Sequence, residues 1–367
     1  MTVARSLERI FNFSPGPAVL PLPVLEEVQQ HLLALPGAGA SILEISHRGK
    51  LFEGILEDAK ERLRRLLGIP SGYHVLFLQG GASLQFSMVP LNFLGPQGAA
   101  YVEAGSWSRK AMAEARKVGP VHVAWSGKEG DYDRMPEAHE LDLPARAHYL
   151  HITSNETIQG IEIPSDYQVD LPVVCDASSD ILSRPLDVSR YALIYAGAQK
   201  NMGPAGATLV ILSEEFLSRQ NPGPHHSMLD YRLLADNNSL YNTPCVFAIY
   251  IIGLVARWLE EEVGGLAAMH SRNKEKAALL YQAIDASGGF YRGHAQPQSR
   301  SLMNVTFRTP SEELDRTFVA EAQEQGLAGL KGHRQVGGLR ASIYNAFPLA
   351  GVQALVEFMA DFARRYG

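Results

Sequence analysis

Between residues 73 and 213 one pattern recurs: a short apolar run, a turn of small residues, then a segment with helical spacing. The runs are "HVLFLQG", "AAYVEAG", "VHVAW", "AHYLHIT", "PVVCDAS", "ALIYAGA" and "ATLVILS". Apolar runs of this length, alternating with helices, predict an α/β layered domain built on a largely parallel sheet. Such a sheet presents ligands beyond the carboxyl ends of its strands.

We place this domain at residues 16–255. It follows an extended segment, 1–15, and Pro15, Gly16 and Pro17 give the chain an irregular path there. The apolar stretch "CVFAIYIIGLVARWLEEEV" is broken by Arg257 and then acids, so it reads as a buried helix rather than a membrane span. Thr243 and Pro244 read as its N-cap and first residue, and Gly264 and Gly265 as a break. A smaller α+β domain is expected at 256–367. Its strands lie in "SLMNVTFRT" and "LRASIYNAF". One helix is capped by a Thr309–Glu312 box, and an amphipathic helix closes the chain.

The 33 basic and 39 acidic residues give a net charge of -6, which argues against a general nucleic-acid surface. Two cysteines cannot staple 367 residues. The first twenty residues lack a continuous apolar core of the signal-peptide kind, so a reducing, cytoplasmic setting is expected. No zinc motif such as HExxH occurs and no metal is expected. Nor is there a Gly-x-Ser-x-Gly elbow, a P-loop or a dinucleotide fingerprint.

Lys200 ends an apolar run in "IYAGAQKNMGPAG". A lysine confined in a pocket loses proton affinity and can attack a carbonyl. The bland alternative is a turn or phosphate-contact lysine. Asp176 ends the strand of "LPVVCDASSD" and either pairs with a protonated heterocyclic nitrogen or caps a helix. "QGGASLQF" offers a phosphate seat at a helix start, or simply a tight turn. Trp107 can stack on a heteroaromatic ring or pack in the core. Thr157 can reach a ring hydroxyl, and Asn155 can serve a turn. His47 and Arg48 in "SHRGK", with His333, Arg334 and Arg340 in "KGHRQVGGLRASIYNA", suit a small polyanion, or solvation. An amine, an acid, a stacked aromatic and a phosphate seat together are what pyridoxal phosphate requires.

The segments "FNFSPGPAVLP", "SHRGK", "LQGGASLQF", "TSNETIQG", "CDASSDILSRP", "YAGAQKNMGPAG", "YNTP" and "GHRQVGGLRASIYNA" closely resemble those of class V aminotransferases of pyridoxal-phosphate fold type I, and within them the phosphoserine aminotransferase family. The resemblance implies a large domain with a mostly parallel seven-stranded sheet between helices, plus a smaller α+β C-terminal domain. It makes Lys200 the residue that carries the cofactor and Asp176 the partner of its ring nitrogen. It sets Trp107 on the ring and Thr157 at the ring hydroxyl. It assigns the cofactor phosphate to Ala82, Ser83 and Gln199, with Asn242 and Thr243 reaching across an obligate homodimer. Some family members have Gly-Arg in place of Ala82–Ser83, so phosphate binding here should lean on backbone and hydroxyl donors. Arg340 takes the substrate's α-carboxylate, while His47, Arg48, His333 and Arg334 take its phosphate or distal carboxylate, some of them from the partner subunit. The implied reaction moves the amino group of L-glutamate to 3-phosphohydroxypyruvate. Amination of a phosphorylated four-carbon hydroxy-keto acid stays open. Alanine–glyoxylate transamination needs no phosphate site, and desulfuration needs a mobile thiol that neither Cys175 nor Cys245 supplies. A catalytically silent phosphometabolite-binding module would have no need of Lys200.

Overall fold

The computed structural model describes residues 9–223 and 225–367. The extended N-terminal segment is thus described from residue 9, and residues 1–8 of it lie outside the described part.

Seven strands form the main sheet: β1 (Tyr73–Leu78), β2 (Ala99–Glu103), β3 (Val121–Ser126), β4 (Leu150–Thr153), β5 (Val173–Asp176), β6 (Leu193–Gly197) and β7 (Thr208–Ser213). Their order is β1-β7-β6-β5-β4-β2-β3. Only β7 runs against its neighbours β1 and β6; the other pairings are parallel. The mostly parallel sheet expected from the sequence is present. β7 shows why its strands read as continuous apolar runs. Leu209 and Ile211 enter one core and Val210 and Leu212 the other, all four fully buried. Alternate side chains leave opposite faces of a strand, so a sheet covered on both sides needs apolar residues at every position.

The first face is covered by α2 (Lys50–Leu67) and α5 (Val246–Trp258). The second is covered by α3 (Gly81–Phe93) and α4 (Ser106–Ala115). α1 (Leu22–His31) packs beside α5. α5 is buried along most of its length, as its composition predicts. Among the described residues, no helix is long and apolar enough to cross a membrane. The α5 start differs from the Thr243–Pro244 expectation: the helix begins at Val246, with Cys245 at the cap. The Thr243 carbonyl is instead claimed by the Gln79 side chain at 2.8 Å. The expected break is present as a π turn at Leu259–Val263, ending in left-handed Gly264 (φ 90°).

After it, α6 (Leu266–Asp285), α7 (Glu312–Glu324) and α8 (Leu349–Tyr366) pack against three antiparallel strands, β8 (Arg292–Gly293), β9 (Asn304–Arg308) and β10 (Leu339–Ser342). The cap of α7 is Ser311, whose hydroxyl accepts the Leu314 N–H at 3.2 Å, not Thr309. Thr309 is drawn away because its N–H and hydroxyl engage Asp315 Oδ1 at 2.9 and 2.7 Å.

Two of the ties that join this unit to the large sheet frame the site. Phe11–Asn12 pairs in parallel with Leu327–Ala328, and the chain then runs to Pro15–Pro17. The hairpin of Asn155–Glu156 and Ile161–Glu162 leaves β4 and packs on β9. At its bend Gly160 adopts φ 74°, and a Cβ there would lie 2.5 Å from Thr306 Oγ1 and 2.8 Å from the Asn304 carbonyl. Left-handed backbone suits glycine, and this approach admits no side chain. Gly160→Ala should therefore cost at least about 1–3 kcal/mol, the usual range for local backbone strain. Urea unfolding of the variant checks this, and a loss below ~0.5 kcal/mol would contradict it.

Candidate active site

The carboxyl ends of five parallel strands, the N-terminal segment and β10 enclose a cavity of about 530 Å³. β1 delivers Gly81, Ala82 and Ser83, and β2 delivers Trp107. β4 delivers Asn155 and Thr157, β5 delivers Asp176, and β6 delivers Gln199 and Lys200. Arg340 comes from β10, and His333 from the loop before it.

α3 opens at Gly81 with Gly80 at its cap position, both left-handed at φ 66° and 89°. A Cβ on Gly80 would sit 2.5 Å from Leu84 Cδ2, so the turn requires glycine. The N–H groups of its first turn have no intrahelical acceptors, and no described side chain caps them. At the cavity wall they form a ready anion seat.

Asp176 is buried, and Ser178 fixes it. The Ser178 N–H and hydroxyl both donate to Asp176 Oδ1, at 3.0 and 2.6 Å. Ser178 Oγ in turn accepts the Gly197 N–H at 3.1 Å, which ties β5 to β6. Burial raises the Asp176 carboxyl above its ordinary range, against the opposing pull of Ser178 and the Lys200 charge. For Lys200, burial lowers the ammonium below the ordinary lysine value, although Asp176 and Glu156 oppose this; Arg340 pushes it down further.

The Trp107 ring lies 5.5 Å from Lys200 Nζ, and its indole N–H donates to Thr157 Oγ1 at 2.9 Å. The ring is oriented by a residue that our sequence analysis missed. Glu156 is fully buried and accepts the N–H groups of Trp107 and Ser108 and the Ser108 hydroxyl, at 2.9, 2.7 and 2.8 Å. It thus caps α4 from a distant hairpin, and burial raises its carboxyl. Ser178 was also missed. The polar run "DASSD" after an apolar strand was the available signal for it. Glu156 stood in view in "SNETIQG", but nothing local reveals that it caps a helix about fifty positions earlier.

Arg340 is buried, and its Nη1 donates to the Thr157 carbonyl at 3.1 Å. Its Nε has no hydrogen-bond partner among the described residues, and no carboxylate meets the guanidinium. A buried guanidinium of this kind suits an incoming carboxylate.

The remaining predicted residues do not line this cavity. Arg334 is exposed and borders a neighbouring hollow of about 550 Å³ that shares His333. Asn242 lines a smaller hollow with Gln79 and Gly80. Thr243 and Arg48 are exposed, and His47 is half-buried with Nε2 unpartnered.

The cavity residues fit pyridoxal phosphate. A lysine amine can take its aldehyde. Asp176 Oδ2, to which no described group donates, can take its ring N–H. Trp107 offers a ring face, Thr157 a hydroxyl, and the α3 start a phosphate seat.

The class-V aminotransferase family model matches residues 10–355. The chain is 56% identical to a phosphoserine aminotransferase of Geobacillus kaustophilus, over 98% of this chain and 100% of that one. A solved phosphoserine aminotransferase from Bacillus circulans subsp. alkalophilus superimposes with a TM-score of 0.95 at 50% identity, covering 98% and 99% of the two chains. A phosphoserine aminotransferase from Trichomonas vaginalis, solved with pyridoxal phosphate bound, gives 0.91 at 40% identity over 96% and 100%.

Glu156→Ala strands three donors in a buried site, each worth about 1–3 kcal/mol when unsatisfied. Expected outcomes are a stability loss in that range or above, and a red shift of Trp107 emission when Trp125 and Trp258 are replaced by Phe. An unshifted spectrum would show that Glu156 does not orient the ring.

Proposed function

The chain belongs to the class-V aminotransferases, and from that premise we propose that it is a phosphoserine-forming transaminase. It moves the amino group of L-glutamate reversibly to 3-phosphohydroxypyruvate, giving 2-oxoglutarate and O-phospho-L-serine. The observation that carries this reading is the convergence in one cavity of Lys200, Asp176 and Arg340, whose Nε has no partner among the described residues.

Pyridoxal phosphate, when bound, supplies a carbonyl for amines and a cationic ring that withdraws electrons. Lys200 holds it, Asp176 keeps the ring nitrogen protonated, Trp107 and Thr157 orient the ring, and Ala82, Ser83 and Gln199 hold the phosphate. Arg340 binds the α-carboxylate, which all four substrates and products share. Lys200 Nζ then removes the proton from the α-carbon of L-glutamate and delivers one to the α-carbon of the new amino acid. Burial favours the neutral amine that this work requires.

The second anion of each substrate falls to His333, with His47, Arg48 and Arg334. Several of these stand outside the chain's own cavity, as do Asn242 and Thr243. We take this as support for a homodimer with shared sites, in which Asn242 and Thr243 reach the cofactor phosphate of the other subunit. The segment bearing His47 and Arg48 is flanked by exposed apolar residues suited to a subunit contact, Leu33 (89%), Leu43 (62%) and Leu51 (39%). A cytoplasmic setting belongs to the same reading, with two free cysteines as its support.

Lys200→Ala should abolish transamination. Steady-state specificity tests the substrate: kcat/KM for 3-phosphohydroxypyruvate should exceed that for 3-hydroxypyruvate by about 10²-fold, since charge-assisted contacts contribute roughly 1.5–3 kcal/mol each. A preference for the unphosphorylated acid would reject the assignment.

The amine has its own pH signature. Trapping of pyridoxal phosphate on Lys200 by borohydride should be half-maximal below 10.5, the ordinary lysine value. Asp176 stabilises the ammonium, so Asp176→Asn should move the midpoint lower still. An upward or absent shift would contradict the electrostatics.

A further inference from the structure

Lys276 lies on the inward side of α6, 2% exposed. Its ammonium donates to the backbone carbonyls of Tyr344 and Ile343 at 2.7 and 2.9 Å, with those of Phe347 and Asn345 at 3.3 and 3.4 Å. Among the described residues no carboxylate offsets it; burial pulls its pKa down to about 7, and the Arg272 charge, of the same sign, adds to that. Burying an ammonium without an acid is costly, and a methionine of similar shape would avoid that cost. The geometry shows what the cation does instead: it gathers the carbonyls of one turn.

That turn, 343–347, leaves β10 three residues after Arg340, and it is fastened to the floor of the cavity. The Asn345 N–H donates to Asn201 Oδ1 at 3.0 Å, and Asn201 directly follows Lys200. Asn201 Nδ2 donates to the carbonyl of Ser179, a cavity residue, at 3.1 Å. Asn345 Nδ2 reaches the Leu182 carbonyl at 2.9 Å, and Asn273, also on α6, donates to Asn345 Oδ1 at 2.9 Å. Tyr344 donates to the Pro15 carbonyl at 2.8 Å, beside the segment that lines the cavity.

We propose that Lys276 is a positioning residue: by clasping the carbonyls of 343–347 it sets the spacing between Arg340 and Lys200, and so how tightly the site takes a substrate carboxylate. This rests on Arg340 being the carboxylate binder, as proposed above.

The test is calorimetric titration of the holoenzyme with glutarate, a dicarboxylate with neither amino nor keto group, alongside steady-state kinetics with L-glutamate. Lys276→Met and Asn345→Ala should each weaken glutarate at least tenfold and raise KM for L-glutamate similarly, with kcat within threefold and cofactor absorbance retained. Lys276→Gln, which restores donors without charge, should fall between. The double variant should be no weaker than the worse single one, because both act through one turn. If Arg340→Met weakens glutarate while Lys276→Met and Asn345→Ala stay within twofold of wild type, the proposal is overturned and the Arg340 assignment stands. If Arg340→Met itself changes nothing, both fall. A lower melting temperature with unmoved glutarate affinity also overturns it. Should Lys276→Met fail to fold, Lys276→Gln decides, and a glutarate affinity equal to wild type then overturns the proposal.

Discussion

An acid and an amine share one cavity lining, and each is held away from its ordinary titration range by burial. Asp176 at the end of β5 and Lys200 just beyond β6 each stabilise the other's charged form, yet burial outweighs that help for both. Isolated charges in such a setting are costly. The surroundings are arranged to lower that cost. Ser178 gives Asp176 two donors while tying β5 to β6 through the Gly197 N–H. The parallel sheet makes the arrangement possible, because adjacent strands end on the same side and set Asp176, Gln199 and Lys200 around a common opening.

The second unit supplies part of that opening rather than a lid over it. Arg340 pairs across the sheet with Thr306, and the Thr306 hydroxyl donates to the Gln159 carbonyl of the hairpin at 2.9 Å. The same hairpin carries Thr157, whose carbonyl receives Arg340, and Glu156, which orients Trp107. Behind it runs a buried polar seam: Asn155 to Ser179 and Asn304, Ser301 to Asn155, and Asn304 to Ser342 and Tyr344. A fully satisfied seam of this kind fixes one relative placement, since any slip strands several buried donors at once. The substrate-facing arginine and the cofactor-facing residues are thereby held in one frame.

Much of this was legible along the chain. Runs such as "ATLVILS" announced strands covered on both faces, and glycines after "HVLFLQ" announced a helix start able to hold an anion. Local capping was less legible. Thr309 had the spacing of a cap and lost the role to Ser311, because Asp315 drew it away. Thr243 looked like a cap, but the helix begins three residues later, at Val246. For Thr309 a competing partner, not propensity, decided the geometry. Glu156 went unseen for the opposite reason: its partners lie on a helix about fifty positions earlier, and it leaves no mark at fixed spacing.

The sequence by itself determined the layered α/β architecture, the amine and the acid at strand ends, and the glycine turn at α3. These depend on periodicity and on backbone conformations that only certain residues adopt, which are local properties. Tertiary structure alone decided that Arg340, some 140 residues beyond Lys200, meets the same cavity, and that Lys276 clasps the turn between them. It also decided that His47, Arg48, Arg334, Asn242 and Thr243 stand outside the chain's own cavity. Such relations depend on how separate elements pack, and packing is set by the summed burial and hydrogen bonding of the whole chain rather than by any segment of it.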